Sequence, residues 1–127
     1  MFSHVMIGSN DIQRSKKFYD AIIGAMGGPE GKLDPKGRVA YVHGGGRLII
    51  TPPIDGKSAT GANGGTIGLL VDGPAMADAW HKAGVASGGT ACEDPPGIRH
   101  GANGAMYLAY LRDPDGNKLC ALHRVPA

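Results

Sequence analysis

The spacing of apolar and polar positions changes period twice along this chain, in the same order each time. Residues 2–8 alternate around Phe2, Val5 and Ile7, which predicts a short strand. Ser9-Asn10-Asp11 then puts short polar side chains where the first free N–H groups of a helix need acceptors. Ile12, Tyr19, Ile22, Ile23 and Met26 follow at helical spacing, with Arg14, Lys16, Lys17 and Asp20 on the wet side. Gly27-Gly28-Pro29 ends that helix. Strands at 38–43 and 47–51 form a hairpin through Gly44-Gly45-Gly46, and 52–65, without a period, reads as loop or linker.

The second half repeats the plan. Residues 66–72 are apolar enough for a buried strand, and Pro74 suits a first helical position. Met76, Ala79, Trp80 and Ala83 share one helical face, which reads Trp80 as core, and Gly84 is expected to end the helix. A strand at 88–92, a loop at 93–104 and a hairpin of 105–112 with 118–123 complete it. Asp113-Pro114-Asp115-Gly116-Asn117 is the turn of that hairpin. At an offset of about 62 residues Val5 meets Ile67, Ile7 meets Leu69, Phe18 meets Trp80 and Asn10 meets Asp72. Near an offset of about 70, residues 47–50 match 117–120. The expected architecture is therefore α+β, one domain over 1–127, built of two βαβββ modules (1–55 and 66–127) joined by a linker at 56–65.

Composition narrows the function. The 22 glycines are about 17% of the 127 residues, and Leu, Ile, Val and Phe together only about 20%, both near the border of disorder. A net charge of +2 argues against disorder, which needs strong self-repulsion. It also leaves no basic footprint for nucleic acid. No stretch is long and apolar enough to suggest a membrane span, and no secretory signal is visible at Met1. The two cysteines, Cys92 and Cys120, are then expected as free thiols in a cytoplasmic protein. Gly56-Lys57-Ser58 is no phosphate loop, because Thr51 stands where the motif needs its first glycine.

His4-Val5-Met6-Ile7, Asp11-Ile12, Ser15 and Phe18-Tyr19 resemble the opening of the glyoxalase/bleomycin resistance/extradiol dioxygenase proteins, the vicinal oxygen chelate superfamily. Residues 112–119, Arg-Asp-Pro-Asp-Gly-Asn-Lys-Leu, resemble that family's closing hairpin. The resemblance spans nearly the whole chain. It implies that the two modules curl their mixed sheets into a cup, usually within a homodimer, with a small-molecule ligand inside.

Metal-using members of the family hold a divalent ion at four positions. Carried over by that resemblance, His4 matches the first; Ile49 or Ile50, Thr66 and Cys120 occupy the other three. One matching ligand of four cannot supply the charge and geometry of the family's metal chemistry, so no metal or other cofactor is expected. An extradiol dioxygenase, which needs two His and a carboxylate on iron, is disfavoured on the same ground.

The resemblance, with strand alternation, puts His4, Met6, Thr66, Gly68, Leu70, Cys120 and Leu122 on the cup face. Arg47 opens a cup strand, and Arg99 in the 93–104 loop is a candidate clamp for an anionic substrate. Tyr107 is a further pocket candidate; Tyr110 faces the opposite side of the same strand. Three functions follow as expectations: a metal-independent holder of a small organic molecule, a bleomycin-resistance-like sequestering protein, or a glyoxalase-type lyase or isomerase. The last would use His4 as base with Cys120 or Thr66 assisting, Cys120 and His4 forming a nucleophile–base pair. The bland alternative is a buried cysteine and a sheet histidine without chemistry.

Overall fold

The computed structural model describes residues 1–126. The first module comprises β1 (Val5–Gly8), α1 (Ile12–Ala25), β2 (Lys32–Leu33), β3 (Val39–His43) and β4 (Gly46–Thr51). The second comprises β5 (Ile67–Leu70), α2 (Pro74–Ala86), β6 (Thr90–Ala91), β7 (Gly97–Gly101), β8 (Gly104–Arg112) and β9 (Lys118–Arg124). Each sheet is mixed and repeats one plan: the orders are β1-β4-β3-β2 and β5-β9-β8-β6, with β7 also on β8. In both, the first strand runs parallel to the last after crossing over through the helix.

Local chemistry explains the boundaries. Asp11 caps α1 by accepting the Arg14 N–H, and Ser9 Oγ accepts the Asp11 N–H. The β3–β4 turn needs Gly44 (φ 58°) and Gly45 (φ 81°) in the left-handed region, which suits a hairpin's twist. Two expectations are corrected. The stretch 93–104 is not all loop, because Gly97–Gly101 adds an edge strand to β8 through backbone bonds that polar Arg99 and His100 do not oppose. Gly84 does not end α2, which runs to Ala86. It is a packing glycine: a Cβ there would collide with Leu111 and lie 3.1 Å from Ile22 of α1.

The core lies between the inner faces of the sheets and the two helices, which pack against each other. Phe18, Tyr19 and Ile22 of α1 meet Trp80 and Ala77 of α2, while Val39, Ile50, Leu111 and Leu119 come from the sheets. The outer faces carry the alternate residues. Met6, Val42 and Leu70, on those faces, are exposed. No helix is long and apolar enough to cross a membrane.

Candidate functional site

A cavity of about 230 Å³ opens between the modules, where β1 and β4 begin, β3 ends and β5 passes on the far side. Its walls are apolar: Ile23 and Met26 from the last turn of α1, Leu48 from β4, and Ile67 and Leu69 from β5. Gly68 borders it only through its backbone, since a Cβ there would point to Cys120 Sγ, 3.4 Å away on the opposite face. Exposed His4 and Arg47 and half-buried His43 supply its basic groups, and no residue lining it is acidic. Ser3 Oγ and His4 Nδ1 lie 2.7 Å apart. Tyr41 also lines the cavity, but its hydroxyl is engaged, donating to Asp20 Oδ1 at 2.7 Å. Burial, and then Asp20, push that phenol far above its ordinary range, so it stays neutral.

The register keeps Gly68, Leu70, Cys120 and Leu122, expected to share a cup face, on one face of the second sheet. His4, Arg47 and Gly68 line the cavity. Cys120, Leu122 and Leu70 lie on the outer face of the second sheet, where the register sets Gly68 beside Cys120 and Leu70 beside Leu122. Met6 is on the outer face of the first sheet, and exposed Thr66 precedes β5.

Three roles are corrected. Tyr107 points toward α2, its hydroxyl donating to Asp78 Oδ1 at 2.6 Å, because it shares the helix-facing register of Ala109 and Leu111. Arg99 is no free clamp: its guanidinium donates to the carbonyls of Asp94, Pro95 and Gly97 and so staples its own loop. The Cys120 thiol is not set up as a nucleophile. Burial, and then the Glu93 carboxylate, push it up against the opposing pull of Lys118, and it does not line the cavity with His4.

Sequence reasoning missed two features. His43, Ile23 and Met26 reach the cavity from ends of elements, where periodicity reports only a buried or exposed face. Glu93 is the other, a non-glycine residue at φ 57° whose carboxylate pairs with Lys118. The Lys118 Nζ in turn sits 5.1 Å from the centre of the Tyr110 ring. No pattern in a single sequence announces that backbone conformation.

Two mixed sheets, of four and five strands, each crossed by one helix and repeated in tandem, define an α+β fold of the glyoxalase type. The family model for the Glyoxalase/Bleomycin resistance protein/Dioxygenase superfamily matches residues 1–121, and the chain belongs to that superfamily. A glyoxalase/bleomycin resistance protein from Albidiferax ferrireducens T118 is 56% identical, with a TM-score of 0.94 over 98% of this chain and 99% of that one. A glyoxalase/bleomycin resistance protein/dioxygenase family enzyme from Burkholderia phytofirmans PsJN shares the fold at 18% identity, with a TM-score of 0.72 over 97% and 98%. A lactoylglutathione lyase from Agrobacterium tumefaciens does so at 21%, with a TM-score of 0.65 over 96% and 92%. No curated protein matches.

The donors present do not fit the metal that some family members use. Apart from His4, the matching positions hold Ile49 or Ile50, Thr66 and Cys120. Among the described residues no three His, Cys, Asp or Glu side chains gather where they could hold an ion. A hydroxyl and a raised thiol are poor substitutes for imidazole and carboxylate.

Proposed function

We propose that this protein holds a small organic molecule in the cavity between its modules and does so without the family's metal. The observation that supports this is the cavity itself. An apolar cavity of about 150 Å³ accommodates benzene, so about 230 Å³ suits a ring with a short substituent, about ten heavy atoms. Apolar walls with a few polar groups at one side are the usual make-up of such a site. A lyase or isomerase related to lactoylglutathione lyase is the second reading. It rests on His4, which lines the cavity beside Ser3, without help from Cys120 or Thr66. Sequestration of a drug or metabolite needs only the shaped cavity. Free Cys92 and Cys120 suit a reducing, cytoplasmic setting.

Titration of ¹⁵N-labelled protein with 2-phenylethanol tests the binding reading. Amide signals of Gly46, Leu48, Ile67 and Leu69 should shift together and saturate, while those of Leu108 and Leu122 on the outer face stay put. In Ile67→Trp, whose indole fills the cavity, the shifts should vanish. Unmoved cavity amides in the wild-type protein would overturn the reading.

A further inference from the structure

We propose that the cavity recognises a hydroxyl-bearing molecule of about ring size, an alcohol or phenol, whose hydroxyl meets the imidazole of His43. The inference rests on the cavity being the ligand site and adds the chemical class of its ligand and the residue that reads it.

His43 belongs to the face that walls the cavity. It alternates with Val39 and Tyr41 on β3, and Tyr41 stands opposite Leu48, so its side chain shares the buried face of that sheet. Gly46, its partner on β4, has no side chain to cover the ring. Gly28, just past α1, makes room for it. A Cβ there would lie 3.0 Å from His43 Cγ, 3.2 Å from its Nδ1 and 2.5 Å from Ile23 Cγ2. The imidazole therefore sits beside Ile23, one of the apolar walls, with Met26 and Leu48 lining the same space.

The other polar groups there are engaged or turned away. The Tyr41 hydroxyl donates to Asp20, His4 Nδ1 is paired with Ser3 Oγ, and Arg47, opposite Val42, turns its side chain to the outer face. Among the described residues no hydrogen bond reaches either ring nitrogen of His43, and Trp80 Nε1 is the one fully buried polar side-chain atom without a partner. The His43 nitrogens therefore keep accessible surface, and the ring lines the cavity. An imidazole offers an N–H and, when neutral, an acceptor nitrogen; a hydroxyl matches either, because it both donates and accepts. A ring lying against Ile23 is next to His43, within reach of a hydroxyl on a short arm.

Two probes with the same phenyl tail isolate the hydroxyl: 2-phenylethanol and ethylbenzene. Their affinities are measured by the same amide titration on wild-type protein, His43→Phe and His43→Gln, and unchanged spectra of the free variants verify the fold. The ratio of the two affinities cancels any change a variant makes to the site of the phenyl ring. In His43→Phe this ratio should shift about fivefold against the alcohol, as the loss of one hydrogen bond requires. His43→Gln, which keeps a donor and an acceptor, should recover part of the difference. In the wild type the His43 ring ¹⁵N signals should move on saturation with the alcohol and stay put with ethylbenzene. An equal ratio in wild type and His43→Phe, or His43 ring signals unmoved by an alcohol that shifts the cavity amides, overturns the hydroxyl inference while the binding reading stands. If neither probe shifts the cavity amides, both fall.

Discussion

Tyr19 of α1 donates a 2.6 Å hydrogen bond to Oδ2 of Asp113, a residue 94 positions away at the end of β8, and both are buried. The bond joins the modules at the family's closing turn. Asp113 also accepts the N–H groups of Asp115 and Asn117, and Asn117 Nδ2 donates to the Gly8 carbonyl. Asp115 extends the join: its side chain accepts the Asn10 N–H, Arg14 and Ser15 at the start of α1. The turn of one module is thus tied to the start of the other module's helix.

Tyr19→Phe is expected to lower stability by about 2 kcal/mol, because a buried charged acceptor loses one of its donors. Burial, and then Asp113, push the Tyr19 phenol well above its ordinary range, so the donor is intact at any working pH. Urea unfolding followed by the fluorescence of Trp80, the single tryptophan, reads the loss. An unchanged midpoint would mean the join contributes nothing.

Gly84→Ala and Gly24→Ala should move stability in opposite directions although both lie in helices. At Gly84 a methyl group meets Leu111, Ile22 and Phe18, and overpacking of this kind costs about 1–3 kcal/mol, more than alanine's helical gain. Exposed Gly24 has nothing within 4 Å of a new Cβ, so alanine there stabilises by about 0.5–1 kcal/mol. Two shifts of the same sign in thermal unfolding would contradict the packing described.

Acid should weaken the fold partly through Asp20. Partial burial raises its carboxyl, but hydrogen bonds from Lys16, the Gly31 N–H and Tyr41 outweigh that and hold it below 3.8. The unfolded chain therefore binds this proton first. The stability Asp20 contributes is present above its unfolded value and is lost as pH falls through the lower folded one. Between about pH 5 and about pH 2, Asp20→Asn should lose stability less steeply than the wild type. Parallel curves would remove Asp20 from the account.

The outer faces carry Met6 at 43%, Val42 at 57% and Leu70 at 75% exposure, and a homodimer that buries them is the expected outcome. Sedimentation should give twice the chain mass for the wild type and the single chain mass for Val42→Glu combined with Leu70→Glu. A wild type that sediments as one chain at about 100 μM would contradict the dimer.

The two modules were legible because helical and strand periods repeat in the same order and the turn 113–117 has its own chemistry. The candidate site was legible only in part. His4, Arg47 and Gly68 stand in strands or at their starts and border the cavity, while alternation sets Arg47 with Val42 and Gly68 with Cys120 on the outer faces. Ile23, Met26 and His43 come from element ends, and their meeting depends on how α1 sits against the far sheet. Tyr107 was misplaced because alternation separates it from Tyr110 but does not say which of the two meets α2. Arg99 was misread because its carbonyl partners belong to a loop closed by β7, a strand whose polar side chains hide it.

The decisive measurement is a crystal structure of the protein purified without chelator and soaked in 2-phenylethanol, with data collected across the zinc and iron absorption edges. The expected result is a phenyl ring between Leu48 and Ile67 and no anomalous peak at His4. A cavity closed by its own side chains, or a stoichiometric metal on His4, would contradict it.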